Sequence, residues 1–126
     1  MNKGRVLEML QAYGEQQEFL CGQYIEFLPS SPSIRYCATG YVLSLGGMNP
    51  QEIESLDRHA LSIEAIRLSN HLVSQKVTQT IESLGLTLEE IQELQLINDG
   101  CLGYEEQHAV MDWISAKQQE TLSLVG

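Results

Sequence analysis

The sequence predicts an all-α fold in which five or six helices pack around a central helical stretch. The longest helical pattern of the chain lies between Asn49 and Gly85. Shorter amphipathic segments lie on both sides of it, and turn residues separate them. The chain has 126 residues, which suffices for one hydrophobic core but not for two, so we expect a single domain over residues 1–126.

The central stretch has a recognisable helix start and helix stop. Asn49 can cap the helix, Pro50 suits the first helical position, and the Glu52 side chain can reach back to the cap. Gly85 follows the last apolar position and provides the usual left-handed stop. These residues indicate where the helical stretch begins and ends.

The central stretch is too long to form one helix. At about 1.5 Å per residue it would measure roughly 50 Å and would protrude from a compact domain of this size. We therefore predict a break near His59–Ser62. Ser62 would cap a second helix that runs to Leu84.

This second helix is predicted to be apolar on two faces. One stripe comprises Ile63, Ile66, Val73, Val77, Ile81 and Leu84, and the opposite stripe comprises Leu61, Ala65, Leu68 and Leu72. We expect other helices to cover both faces, or a second copy of the chain to cover the Leu61–Leu72 stripe in a homodimer. Asn70 is either a buried amide that fixes helix register or a residue at the solvent edge of the first stripe.

Residues 23–45 allow two interpretations. Gln23–Leu28 alternates like a strand and could pair with Ile34–Cys37, which would form a two-stranded ribbon near residues 23–37. Alternatively, Ser33 caps a helix that ends at Gly46-Gly47, and we prefer this helix. Its apolar face would comprise Ile34, Cys37, Tyr41 and Leu45.

Gly40 lies in the middle of this preferred helix. A glycine in a helix interior costs about 1 kcal/mol relative to alanine. We therefore predict that the backbone of another segment packs closely against Gly40.

The outer segments also show helical patterns. Residues 3–13 predict a first helix. Thr87 is expected to cap a short helix that ends at about Leu96, and Asn98-Asp99-Gly100 predicts a turn. The last helix is predicted from Tyr104 to Lys117, and no structure is predicted for residues 118–126.

The net charge of −10 is unevenly distributed along the chain. The segment from Val77 to Ala116 contains no Lys or Arg and eight acids: Glu82, Glu89, Glu90, Glu93, Asp99, Glu105, Glu106 and Asp112. Direct nucleic-acid binding is not expected, because affinity for phosphates comes from Lys and Arg. The acidic surface is either a solvated face that maintains solubility or a site for a basic protein partner. In the second case the contacts would be Glu89, Glu90, Glu93, Glu105, Glu106 and Asp112.

The apolar segments and the cysteines indicate an intracellular environment. No apolar run approaches the ~18 residues of a membrane span, and the amino terminus has no signal-peptide core. Cys21, Cys37 and Cys101 form no Cys-x-x-Cys pair, which argues against a disulfide framework and a zinc site. We therefore expect a cytoplasmic protein that does not bind membranes.

No metal or cofactor is expected. His59, His71 and His108 are far apart, and none lies in a His-x-x-x-His spacing. The glycines lack the strand-then-helix context of a phosphate-binding loop.

Cys37 is the one candidate nucleophile that the sequence offers. The order Cys37, then His59 or His71, then Asn98 or Asp99 matches a thiol, a base and an orienting group. His71 and Asp99 are the preferred partners. In the other interpretation Cys37 is buried and inert, and both Asn98 and Asp99 bond nearby backbone amides.

Two short motifs resemble those of a small bacterial and phage-borne family of domains of unknown function. They are Tyr36-Cys37-Ala38-Thr39-Gly40 and Leu96-Ile97-Asn98-Asp99-Gly100, and the resemblance spans roughly Phe19–Ala116. The family combines an aromatic-Cys-Ala-x-Gly helix, a hydrophobic-Asn-Asp element and a terminal amphipathic helix. The resemblance marks Cys37, Gly40, Asn98 and Asp99 and implies a shape without an activity. Tyr36 stands where Trp is common, and Tyr41-Val42 where Ala-Leu is common.

The favoured functional prediction is a non-enzymatic protein-interaction module. One concrete form is a phage or bacterial accessory factor that binds or inhibits a basic, nucleic-acid-handling protein. The alternative is a cysteine-dependent hydrolase or transferase built on Cys37.

Overall fold

A computed structural model describes residues 1–29, 33–59, 61–68, 72–100 and 104–125, without the side chains of residues 67, 104–106 and 123–125. Within these ranges seven helices and a two-stranded antiparallel ribbon confirm the predicted fold class. No described helix combines the length and the apolarity needed to cross a membrane. The elements are α1 (Lys3–Gln16), β1 (Ile25–Phe27), β2 (Ile34–Tyr36), α2 (Ala38–Leu45), α3 (Pro50–Arg58), α4 (Ile63–Arg67), α5 (Leu72–Ser83), α6 (Leu88–Gly100) and α7 (Tyr104–Val125).

The ribbon corrects the preferred interpretation of residues 33–45. Ile25 pairs with Tyr36 and Phe27 with Ile34, so the predicted helix start at Ser33 is wrong. The extended pairing continues to Cys37, whose amide donates to the Tyr24 carbonyl oxygen over 3.1 Å. These hydrogen bonds hold the backbone extended up to Cys37, and the helix begins only at Ala38.

The break in the central stretch lies where it was predicted. Asn49 and Glu52 form a complete capping box at the start of α3, with Pro50 in the first helical position. Helix α3 ends at Arg58, and the Ser62 side chain caps α4 by accepting from the Ala65 amide over 3.1 Å.

The predicted continuous helix from Ser62 to Leu84 is wrong. Helix α4 ends at Arg67 and α5 begins at Leu72, so the second apolar stripe does not continue along one helix. Leu68 is 83% exposed and Leu72 is 79% exposed. The expectation that other helices of the same chain cover both faces is therefore also wrong, whereas a second copy covering these leucines stays a prediction.

Helix α2 occupies the centre of the fold instead. It contacts α1, α3, α5, α6 and β2, although it is only eight residues long. Its buried residues are Ala38, Thr39, Gly40, Val42 and Leu43. Small residues in its first half let neighbouring segments approach its backbone closely.

The carboxy-terminal helices are longer than predicted. Helix α6 continues through Asn98-Asp99-Gly100, so the predicted turn there is wrong. The Asn98 side chain bonds distant backbone groups and does not compete with its own helix. Helix α7 continues past Lys117 to Val125, where no structure was predicted, and it packs against both α1 and α6.

Candidate functional site

Cys37 is a buried helix cap. Its sulfur accepts a hydrogen bond from the Gly40 amide over 3.2 Å, and the residue has no exposed surface. Burial raises the pKa of the Cys37 thiol to about 12, and the nearby charge of Asp99 adds to this effect. Because the thiolate is the nucleophilic form, the folded protein holds Cys37 in its unreactive state.

The structure describes two members of the preferred catalytic set, Cys37 and Asp99. His71 lies outside the described residues. The Asp99 carboxylate accepts from the Gly22 amide over 3.0 Å and from the Gln95 side chain. Asp99 therefore holds a loop and a neighbouring side chain, and its charge disfavours the thiolate that catalysis would require.

Alkylation with iodoacetamide at neutral pH is expected to label Cys37 far more slowly than the exposed Cys21. A pKa of about 12 against the usual 9.0 reduces the thiolate fraction about a thousandfold, and burial blocks access as well. Peptide-level mass spectrometry measures both rates, and equal labelling in urea serves as the control. Labelling of Cys37 as fast as Cys21 in the folded protein would restore the enzymatic interpretation.

Asn98 links three segments through one buried amide group. It is 1% exposed; its Oδ1 accepts from the Ala38 amide over 2.8 Å, and its Nδ2 donates to the Leu20 carbonyl oxygen over 2.7 Å. Asn98 therefore satisfies one of the free amides at the start of α2 and fixes the segment before β1 against α6. The predicted structural role used nearby amides, whereas the observed partners are at least sixty residues away in the sequence.

A cleft of about 380 Å³ opens beside this network, and we call it the acidic cleft. Its apolar walls include Leu56, Leu61 and Leu96, and its polar groups include Asp57, Gln95 and Asp99. Residues 22–24, the end of α3, the start of α4 and the last turns of α6 all contribute to it. The cleft therefore combines two carboxylates with an apolar surface.

Backbone amides position the Asp57 carboxylate in this cleft. It accepts from the Tyr24 amide over 2.8 and 3.0 Å and from the Ile25 amide over 3.1 Å. Burial raises the pKa of Asp57, and the negative charges of Glu54 and Asp99 raise it further, against the opposing effect of the two amides. Burial and the neighbouring charges therefore disfavour the ionised form of Asp57.

Tyr24 closes the inner side of the acidic cleft. Its hydroxyl donates to the Leu61 carbonyl oxygen over 2.6 Å, and burial raises the pKa of this phenol. The side chain is 4% exposed, so its main role is to connect β1 to the start of α4.

The predicted acidic contacts have different environments. Glu89, Glu93 and Asp112 are exposed, and the Glu93 carboxylate accepts from the Trp113 indole over 2.6 Å. The side chains of Glu105 and Glu106 lie outside the described residues. The structural candidate Asn70 also lies outside them. Exposed carboxylates therefore lie on α6 and on α7.

Glu90 is already paired within the chain. Its carboxylate bonds the Thr87 amide over 3.0 Å and forms an ion pair with Lys3 over 2.7 Å, and Lys117 lies 3.6 Å away. Burial raises the pKa of Glu90, but the hydrogen bonds from Lys3 and Thr87 outweigh this effect and lower it. Glu90 therefore links α1, α6 and α7 and is a poor candidate for a partner contact.

Metal ligation finds no support among the side chains that the structure describes. No group of three or more His, Cys, Asp or Glu residues converges within those ranges. His59 and His108 are both exposed.

The sequence does not single out Asp57, although it is central to the acidic cleft. Its backbone partners lie 33 and 32 residues earlier in the chain, and no local motif connects them. Leu96 was predicted as a helix end and as the first residue of the second motif, and it is 65% exposed at the cleft. Only the packing of α3 against β1 and of α4 against α6 brings these residues together.

Comparisons with known proteins add no relative: no family model, no curated protein and no solved structure matches the chain.

Proposed function

We propose that the protein is a non-enzymatic interaction module that binds a basic protein partner. The observation that carries the proposal is the exposed surface of α6, which we call the α6 acidic face. It comprises Glu89, Glu93, Leu96 and Asp99, all of them exposed. The sequence between Val77 and Ala116 contains no Lys or Arg, so helix α6 carries no positive side chain of its own.

The composition of the α6 acidic face favours a protein partner over a nucleic acid. Carboxylates repel phosphates, whereas they attract Lys and Arg and accelerate association with a basic surface. Leu96 provides an apolar contact within the same face. An exposed leucine surrounded by charges is a composition that protein interfaces use.

The biological setting is part of the same proposal. A cytoplasmic accessory factor of bacterial or phage origin could inhibit a nucleic-acid-handling protein by covering its basic surface. The two motifs that carry the resemblance meet at the start of α2, where the Ala38 amide donates to Asn98 and the Gly40 amide donates to Cys37.

Binding to a panel of purified basic DNA- and RNA-binding proteins tests the proposal. We expect the E89Q/E93Q double variant to bind a panel member about 2- to 30-fold more weakly than the wild type, from 0.2–1 kcal/mol per exposed ion pair. Raising the salt concentration should weaken wild-type binding, because exposed charges are screened. Fluorescence anisotropy measures both effects.

The matched control is the E8Q/E15Q variant, which removes two exposed charges from α1. It should bind like the wild type if the α6 acidic face makes the contact. Equal weakening in both variants, wild-type binding that is indifferent to salt, or no binding to any panel member would refute the proposal.

A further inference from the structure

We infer that the acidic cleft holds an arginine side chain of the basic partner. This inference rests on the proposed function and narrows it from a charged face to one pocket and one residue type. Leu96 and Asp99 belong both to the α6 acidic face and to the lining of the cleft. A partner docked on that face would therefore lie directly over the cleft.

Neutral donors bond both carboxylates of the acidic cleft. Asp57 is bonded by the Tyr24 and Ile25 amides, and Asp99 by the Gly22 amide and the Gln95 side chain. These neutral donors orient the carboxylates but do not neutralise them. No ion pair joins either carboxylate to a Lys or Arg whose side chain the structure describes.

Arginine matches two carboxylates beside an apolar wall better than lysine does. Its guanidinium has five N–H donors in a planar fork and can bond several carboxylate and carbonyl oxygens at once. Its aliphatic stem can pack against Leu61 and Leu96 at the mouth of the cleft. A lysine ammonium is more strongly hydrated and offers a single point of positive charge.

Amide-detected NMR with two short peptides tests this inference. One peptide alternates arginine with leucine, and the other has lysine in place of each arginine. With the arginine peptide we expect saturable shifts of the Gly22, Tyr24 and Ile25 amides, because these donate to Asp99 and Asp57. The lysine peptide should bind more weakly by a factor of about five or more.

Two leucine variants provide the matched comparison. Leu96→Lys places an ammonium group at the mouth of the cleft, and we expect it to weaken binding of the arginine peptide by about tenfold or more. Leu122→Lys introduces the same charge on α7 at a residue that is 64% exposed, against 65% for Leu96. It should change the affinity less than about threefold, because it only lowers the overall negative charge.

The outcomes separate the inference from the proposed function. Three outcomes would refute binding of an arginine in the acidic cleft without refuting a basic partner. They are arginine-peptide shifts confined to Glu89 and Glu93, equal affinities for both peptides, and equal weakening by both variants. If the wild-type protein binds neither peptide, the inference that the cleft binds an arginine is refuted. The proposed function is refuted only if the protein also binds no member of the panel of basic proteins.

Discussion

Replacement of Gly40 by alanine is expected to lower the free energy of unfolding by about 2–3 kcal/mol, a typical cost for an overpacked core. A methyl group at Gly40 would overlap the Tyr24 carbonyl oxygen, which belongs to the backbone and cannot rotate away. The higher helix propensity of alanine offsets only about 1 kcal/mol of the strain. Urea denaturation followed by circular dichroism measures the change.

The position of Gly40 explains why the effect should be large. The same Tyr24 carbonyl oxygen accepts the hydrogen bond from the Cys37 amide, so its displacement also weakens the junction between β1 and α2. Helix α2 contacts α1, α3, α5 and α6, which leaves little freedom to shift it as a whole.

The Gly4→Ala variant is the control for helix propensity. Gly4 lies in α1, where an added methyl group would be 3.6 Å from the Asn2 side-chain oxygen, an ordinary contact. We expect this variant to be as stable as the wild type or more stable by up to ~1 kcal/mol. A Gly40→Ala protein that matches Gly4→Ala in stability would contradict the close packing of α2 against Tyr24.

Local signals in the sequence were sufficient to predict individual helix ends. The capping box at Asn49 and Glu52, the break before Ser62 and the left-handed stop at Gly85 are confirmed, the last with a φ of +81°. Each depends on residues close together in the chain, whose backbone hydrogen bonds are decided locally. The fold class could be predicted because these signals mark the ends of segments with helical periodicity.

Predictions that depend on distant contacts were less accurate. The apolar stripe of Leu68 and Leu72 suggested a buried face, but the helix ends at Arg67 and both leucines are exposed. Periodicity shows which residues share a face and does not show whether another element covers that face.

The acidic cleft could not be predicted for the same reason. Asp57 and Asp99 lie 42 positions apart in the sequence, and the folded chain brings them into one cleft. The sequence marked Asp99 through its neighbour Asn98 and the short motif around both. It contained no comparable signal for Asp57, whose role depends on the segment from Tyr24 to Ile25.

Replacement of Asn98 by leucine is expected to destabilise the protein by about 2–5 kcal/mol. The substitution preserves the side-chain volume approximately but leaves the Ala38 amide and the Leu20 carbonyl oxygen without their partner. Each buried group that loses its hydrogen bond costs about 1–3 kcal/mol. Chemical denaturation of the variant and the wild type measures the difference, and a loss below about 1 kcal/mol would contradict the buried network.

Replacement of Asn98 by aspartate should make this destabilisation depend on pH. One carboxylate oxygen can still accept from the Ala38 amide, but the other would face the Leu20 carbonyl oxygen without a proton to donate. Burial and this repulsion should raise the pKa of the introduced carboxyl above its unfolded value of about 3.9. The variant should therefore be closest to wild-type stability below that unfolded pKa and lose stability as the pH rises towards the folded pKa.

The Asn49→Asp variant carries the same substitution at an exposed position. Its carboxylate can accept from the Glu52 amide as the Asn49 side chain does, so the helix cap is retained at neutral pH. We expect Asn49→Asp to remain within about 0.5 kcal/mol of the wild type at neutral pH. If Asn98→Asp showed the same pH profile as this control, Asn98 would not be a buried donor to Leu20, and the link between α6 and the start of α2 would have to be held by other contacts.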